Sequence, residues 1–494
     1  MEILLQSLDL ILTLETLLAI LLASVFGLFV GAIPGLTATM AVALLVPFTF
    51  YMSPIPAIAT VIACTAMAIT AGDIPGALLR IPGTPSSAAY TDEAFAMTRN
   101  GQGSQSLGIS LLASCFGGIF GFIVLATAAP FLAGFALRFS SFEYFWLATL
   151  GLSCAALVSS GGIIKGLLAL FTGLTISTIG SDPLTGTPRF TFGDLNLMGG
   201  LSFVPAMIGL FALGELLKYK PGELSAVSNS KVTNPFFDVL PILRKYKKNL
   251  LRGSMFGTII GALPGAGGDL GAWVSYAMAK RTSKTPEKFG TGHPEGIVEA
   301  GAANNSALSS AWIPATVFGI PGDAVTAIAV GILFMKGLNP GPQLLTQNPQ
   351  NFYAIILIFL IANLLMIPLG FIAIRVAHKV FTIPRAYLNG GILIFCIVGA
   401  FAVNNSLFGI TVMLFFGIMA YIFGLIKIPI APIILGLVIG PLLEQNFLIS
   451  MIVARGDPMA FFTRPIAGTL GVLVILIWSL SIIGKVITAT RSRS

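Results

Sequence analysis

The sequence predicts an all-α integral membrane protein of about 11–12 hydrophobic spans with re-entrant or broken helices, arranged as two inverted-topology repeats. Composition is the first reason. Of 494 residues, 56 % are hydrophobic and 9 % charged, and the mean hydropathy is +0.94, whereas an average soluble domain carries roughly 25 % charge. The second reason is an internal repeat: residues 24–35 read S-V-F-G-L-F-V-G-A-I-P-G and residues 254–265 read S-M-F-G-T-I-I-G-A-L-P-G, identical at seven of twelve positions and 230 residues apart. The third is where the basic residues fall. None precedes Arg80, and 12 of the 27 lie between Lys218 and Lys288, as in a cytoplasmic loop that obeys the positive-inside rule.

Stretches of about 20 apolar residues, the length that crosses a bilayer, fall near 11–33, 55–72, 107–137, 142–158, 160–180, 200–217, 296–318, 351–377, 388–403, 406–426, 429–449 and 466–486. The first is expected to be retained, because a cleavable signal needs a basic region ahead of its apolar run. The chain then divides into a first membrane repeat over 1–217, a basic cytoplasmic linker over 218–252, and a second membrane repeat over 253–494 with additional C-terminal spans. The absence of Lys and Arg from 1–79 places the N-terminus in the periplasm, and Lys485, Arg491 and Arg493 place the C-terminus in the cytoplasm.

Between Arg252 and Lys280 lie only 27 residues, broken by Pro264-Gly265-Ala266-Gly267-Gly268 and basic on both flanks. One crossing would put a basic flank on the wrong side, and two would need about 40 residues. A re-entrant hairpin satisfies both limits. Its twin around Pro34-Gly35 then enters from the opposite face, so the two tips meet near the bilayer midplane. In each copy glycines recur at i, i+4 and i+8 (Gly27, Gly31, Gly35; Gly257, Gly261, Gly265), a stripe of small residues that lets helices approach closely in lipid.

Several function classes are excluded at this point. The basic excess belongs to membrane topology rather than to a nucleic-acid surface. Cys64, Cys115, Cys154 and Cys396 are scattered singly, and His293 and His378 are the only imidazoles, so neither metal sites nor disulfides are expected. No H-E-x-x-H or G-x-S-x-G phrase supports an intramembrane enzyme. A channel or scaffold subunit without transport of its own stays open beside a transporter.

The candidate chemistry lies at the breaks. A second broken phrase follows each first one: Ile81-Pro82-Gly83-Thr84-Pro85-Ser86-Ser87 and Gly319-Ile320-Pro321-Gly322-Asp323. Where Pro-Gly opens a half-helix, free amide N–H groups and the positive dipole end can hold a carboxylate without a buried Lys or Arg. The candidate substrate-binding residues are therefore Gly35, Thr37, Thr39, Gly83, Thr84, Pro85, Ser86, Ser87, Gly265, Gly267, Gly268 and Gly322. Asn304 and Asn305, paired amides in a span of small residues, join the substrate-binding candidates if they line a polar path; the alternative is that they bond across helices. Asp73, Asp269 and Asp323 stand in apolar or small-residue stretches. Such carboxylates either coordinate a coupling ion, H⁺ or Na⁺, or cap helix N-termini.

These phrases, together with Gly31-Ala32-Ile33-Pro34-Gly35, the run from Ser275-Tyr276 through Lys280-Arg281-Thr282-Ser283-Lys284 to Phe289-Gly290, Glu295-Gly296, Ala302-Ala303-Asn304-Asn305 and Asn339-Pro340-Gly341-Pro342, give a chain that resembles the large membrane subunit of the tripartite tricarboxylate transporters from about residue 10 to 485. The resemblance implies a permease of the bacterial inner membrane that imports a small organic carboxylate such as citrate on an ion gradient. It also implies two partners, a small membrane subunit and a periplasmic solute-binding protein. Glu93-Ala94 stands where the family usually has Asp-Gly, and Gly72-Asp73 where it often has Gly-Ser.

Overall fold

A computed structural model describes residues 2–158, 162–182, 185–218, 239–264, 267–380, 385–403 and 405–491. The linker expected over 218–252 thus lies largely outside the described residues, as does Gly265. In chain order the helices are α1 (Glu2–Ile11), α2 (Leu14–Ala32), α3 (Ala38–Thr49), α4 (Pro54–Ala71), α5 (Asp73–Leu79), α6 (Thr91–Arg99), α7 (Gly103–Ala136), α8 (Ser141–Val158) and α9 (Ile163–Ser177). A two-residue antiparallel ladder, β1 (Gly180–Ser181) with β2 (Pro188–Arg189), follows. Then come α10 (Phe203–Met207), α11 (Gly214–Lys218), α12 (Val239–Lys245), α13 (Lys247–Gly261), α14 (Gly267–Thr282), α15 (Pro294–Phe318), α16 (Ala324–Met335) and α17 (Pro342–Gln347). The last are α18 (Pro349–Val380), α19 (Arg385–Ala402), α20 (Leu407–Leu425), α21 (Ala431–Val453), α22 (Ala460–Thr463) and α23 (Pro465–Arg491). A π-helical turn over Ile208–Leu213 joins α10 to α11.

Among the described residues, six helical stretches are long and apolar enough to cross a membrane: Leu14–Ala32, Pro54–Leu79, Gly103–Ala136, Pro349–Ala377, Leu407–Leu425 and Ala431–Val453. The protein is a multi-pass α-helical membrane protein. The stretch expected over 200–217 is interrupted by its π turn, and α13 and α14, of 15 and 16 residues, are each too short for a full crossing.

Two compact units emerge, one formed by Met1–Ala133 with Ser202–Ile422, the other by Gly134–Leu201 with Phe423–Ser494. In the first, α4 and α15 are the buried helices. Every residue from Glu295 to Val317 is buried, which the Gly, Ala, Ser and Asn content of that helix allows by letting neighbours approach to backbone contact. A Cβ on Gly27 or Gly31 of α2 would run into the backbone of Cys64 or Ala68 of α4, and one on Gly257 or Gly261 of α13 into that of Ala303 or Ala307 of α15. Gly117 of α7 presses on Ala302 in the same way. The second unit holds α8, α9 and α21 to α23, where Phe142, Trp146, Phe461, Ala467 and Val474 form a buried cluster. There the Trp146 Nε1–H donates to the Phe461 carbonyl at 3.0 Å, and Arg189 pairs with Glu444 at 2.5 Å.

The internal repeat is visible bond by bond. Arg80 and Gly319, at φ 58° and 70°, end α5 and α15 in the left-handed conformation. The next N–H then reaches back to a proline carbonyl, Ile81 to Pro75 at 3.3 Å and Ile320 to Pro314 at 3.2 Å. Gly83 lies against Gly72, and Gly322 against Ala311. Each break closes in a reciprocal cap. The Thr84 hydroxyl accepts from the Ser87 N–H and the Ser87 hydroxyl from the Thr84 N–H, both at 3.1 Å. The Asp323 carboxylate accepts from the Thr326 N–H at 2.7 Å, and the Thr326 hydroxyl from the Asp323 N–H at 2.8 Å.

Candidate functional site

The breaks of the two halves meet in the first unit. Gly267, whose φ of 71° turns the chain into α14, donates its N–H to the Gly322 carbonyl at 3.1 Å. One turn further, the Trp273 Nε1–H donates to the Pro85 carbonyl at 3.0 Å. Between these ties the Asp269 carboxylate faces the hydroxyl and backbone N–H of Ser86 and stands close enough to Asp323 for the two charges to repel. Asp269 and Pro85 are exposed and Asp323 is half-buried, so the group opens to a solvent-accessible side. The structure therefore brings together Gly83, Thr84, Pro85, Ser86 and Ser87 of the first half with Gly267, Asp269, Gly322 and Asp323 of the second.

The other candidates lie around this group. Gly268 rests near Ala307 and the Asn304 carbonyl. Asn304 and Asn305 are buried and bond across helices, Asn304 Nδ2 to the Tyr90 hydroxyl at 3.5 Å and Asn305 Nδ2 to the Thr70 hydroxyl at 3.1 Å. Asp73, 4 % exposed, begins α5 and accepts from the Tyr90 hydroxyl at 2.7 Å and from the Ser110 hydroxyl. The first hairpin touches the breaks at Gly31, whose carbonyl lies beside Gly83. Gly35 turns the chain at φ 81°, Thr37 caps α3 by accepting from the Met40 N–H at 3.1 Å, and Thr39 is half-buried in its first turn.

Two sets of residues were not singled out by the sequence. Tyr90 and Ser110 donate to the buried Asp73, and Trp273 to the Pro85 break, but one Tyr, Ser or Trp in an apolar chain carries no periodic mark. Glu93 is fully buried. Its carboxylate accepts from the Tyr276 hydroxyl at 2.9 Å and from the N–H groups of Gly290, Gly292 and His293 at 2.5, 2.8 and 2.7 Å. Its place where the resemblance expects Asp-Gly was the available signal. Among the described residues no group of His, Cys, Asp and Glu could hold a metal ion.

A multi-pass helical protein whose broken helices, drawn from two copies of one motif, converge on polar tips is a membrane transporter. Its chain belongs to the tripartite tricarboxylate transporter TctA family, whose model matches residues 17–435. An Agrobacterium vitis protein described as an uncharacterized 52.8 kDa protein in the TAR-I ttuC' 3' region is 35 % identical over 444 residues, covering 90 % of this chain and 88 % of that one. A second from Agrobacterium vitis, described as an uncharacterized protein in the TAR-II ttuC' 3' region, is 38 % identical over 214 residues, covering 43 % of this chain and 88 % of the relative. No solved structure matches. Membership supports a component of a tricarboxylate transport system, points to a transport role, and implies partner subunits.

Proposed function

We propose that this chain is the large permease subunit that takes up a small organic carboxylate, citrate or another di- or tricarboxylate, across the bacterial inner membrane on an H⁺ or Na⁺ gradient. Its small membrane subunit stays beside it in the bilayer, and a periplasmic solute-binding protein delivers the substrate. The two repeats are inverted in the membrane, with the N-terminus periplasmic and the C-terminus cytoplasmic, and one moves against the other about a fixed site.

One observation carries this reading: the Gly267 to Gly322 and Trp273 to Pro85 ties place half-helix starts and two carboxylates, Asp269 and Asp323, around one opening. The amide N–H groups that begin α14 and α16 and the hydroxyls of Thr84, Ser86 and Ser87 suit a carboxylate ligand. Asp269 and Asp323 would repel that same anion. A substrate carboxylate can share the opening with them only when a proton or Na⁺ neutralises them, and that mutual requirement is the coupling. Asp73, buried behind the breaks, completes the set of ion-coupling candidates.

The test is uptake of labelled citrate and a panel of other carboxylates into cells that express this chain with its partner subunits, with the Na⁺ and H⁺ gradients collapsed in turn. Saturable uptake of one acid that fails when one gradient is removed supports the reading and names the ion. No uptake of any acid under either gradient would leave the channel-like or scaffold role.

A further inference from the structure

We propose that Asp73 carries a coupling proton, beside the neutralisation of Asp269 and Asp323 at the opening, and that Tyr90 is a positioning residue that reports the protonation of Asp73 to Asn304 on α15. This deepens the uptake reading above and rests on it for its physiological role, though not for the chemistry at Asp73.

Asp73 lies at the wall of a cavity bounded by Leu28, Thr70, Leu107, Ser110, Leu111 and Gly370. Its carboxylate oxygens meet only neutral donors, Tyr90 Oη at 2.7 Å and the Ser110 hydroxyl. Among the described residues, several ionisable groups on surrounding helices are engaged elsewhere. On α6, Asp92 pairs with Arg80 at 2.9 Å and Glu93 is held by Tyr276 and three backbone N–H groups. On α15, Glu295 and Glu299 are bound by Asn249, and Glu299 also by Arg252. On α2, Glu15 accepts from Ser53; on α18, Arg375 lies over the Phe371 ring at 4.2 Å. The thiols of Cys64 on α4 and Cys115 on α7 are the other titratable groups nearby, and Cys115 points to the Asn363 carbonyl at 3.2 Å.

A buried carboxylate with no cation beside it is costly as an anion. A hard cation such as Na⁺ takes several oxygen ligands, and Thr70, Asp73 and Ser110 are the only oxygen-bearing side chains in a cavity wall otherwise aliphatic or glycine. A proton needs one oxygen. The hydroxyl count then yields a switch. When Asp73 is ionised, Tyr90 donates to Asp73 and accepts from Asn304 Nδ2, at 2.7 and 3.5 Å. When Asp73 takes a proton on Oδ1, that new O–H must find an acceptor, and the Tyr90 oxygen is the one facing it, while the Ser110 hydroxyl keeps its place on Oδ2. The Tyr90 hydrogen is then displaced from Asp73 and turned toward the Asn304 amide, opposing the Nδ2 donor already there. Protonation at Asp73 thus releases the side-chain amide of Asn304, a residue whose backbone carbonyl lies near Gly268 at the start of α14. No bond but the O–H changes.

The experiment is pH-difference infrared spectroscopy of the purified full-length chain, paired with uptake in cells. The expected result is a carboxylic C=O stretch that titrates in the wild type, is missing in Asp73→Asn and changes frequency in Tyr90→Phe. In cells, both variants should lose about tenfold or more of proton-driven accumulation while exchange of substrate without a gradient persists. A titrating carboxyl band that survives unchanged in Asp73→Asn and Tyr90→Phe would overturn the proposal, as would normal proton-driven accumulation in both. If the wild type takes up no acid at all, the transport reading fails, and the infrared bands still decide Asp73. Tyr90→Phe keeps the buried ring, so the test survives a poorly folding Asp73 variant.

Discussion

The N–H of Gly267 donates to the carbonyl of Gly322 at 3.1 Å, joining the start of one broken helix to the start of the next. Because both partners are backbone atoms, the tie tolerates side-chain exchange but not a shift of either Pro-Gly phrase. It holds Asp269 and Asp323 in one place.

Asp323→Asn separates the two roles of that residue. Asn ranks with Asp as an N-cap, so the fold of α16 should hold, whereas Asp323→Ala should cost about 1 kcal/mol. Gradient-driven uptake by Asp323→Asn is expected to fall well below wild type at equal membrane abundance. Wild-type ion dependence in that variant would leave Asp323 a cap only.

The matched glycine contacts make a paired prediction. Gly31→Ala and Gly261→Ala should each lower the melting temperature in detergent, because the new methyl meets the backbone of Ala68 or Ala307, an overpacking worth about 1–3 kcal/mol. Gly134→Ala, at a helical glycine with nothing within 4 Å, is the control and should melt no lower than wild type.

Glu93→Ala leaves the N–H groups of Gly290, Gly292 and His293 without their acceptor, a loss of about 1–3 kcal/mol for each that stays buried and unpaired. Thermal melting should show it. Limited proteolysis should also open first between residues 283 and 293.

Trp273→Phe keeps the ring and removes the donor to Pro85. Loss of about 1 kcal/mol is expected to raise the KM for uptake roughly fivefold. If substrate binding changes tryptophan fluorescence, the change should be absent in this variant. An unaltered KM would place the ligand away from the Trp273 side of the opening.

The breaks and the glycine stripes were legible in the sequence because both leave small residues where backbones touch, as Gly27, Gly31, Gly257 and Gly261 do. Capping by Asp323 was legible as one of two readings of that carboxylate, whereas its partner Thr326 and the reciprocal Thr84–Ser87 cap were not read from the sequence. Tyr90 and Glu93 were not, because their partners Asn304, Tyr276 and Gly290 lie in the other half of the chain. Nor could the sequence show that α8 and α9 pack with α21, since apolar helix faces carry no address.

The backbone-to-backbone seams of α2 on α4 and of α13 on α15 also set the mechanics of the molecule. Helices seated on each other's carbonyls cannot slide by part of a turn without driving glycine Cα atoms into main chain, so each pair behaves as a strut. Bending is left to the joints, where Gly35, Arg80, Gly267 and Gly319 already sit at positive φ. At Arg80, Gly267 and Gly319 those joints flank the polar groups that face one another, so a ligand seated among them would push directly on the protein's own levers.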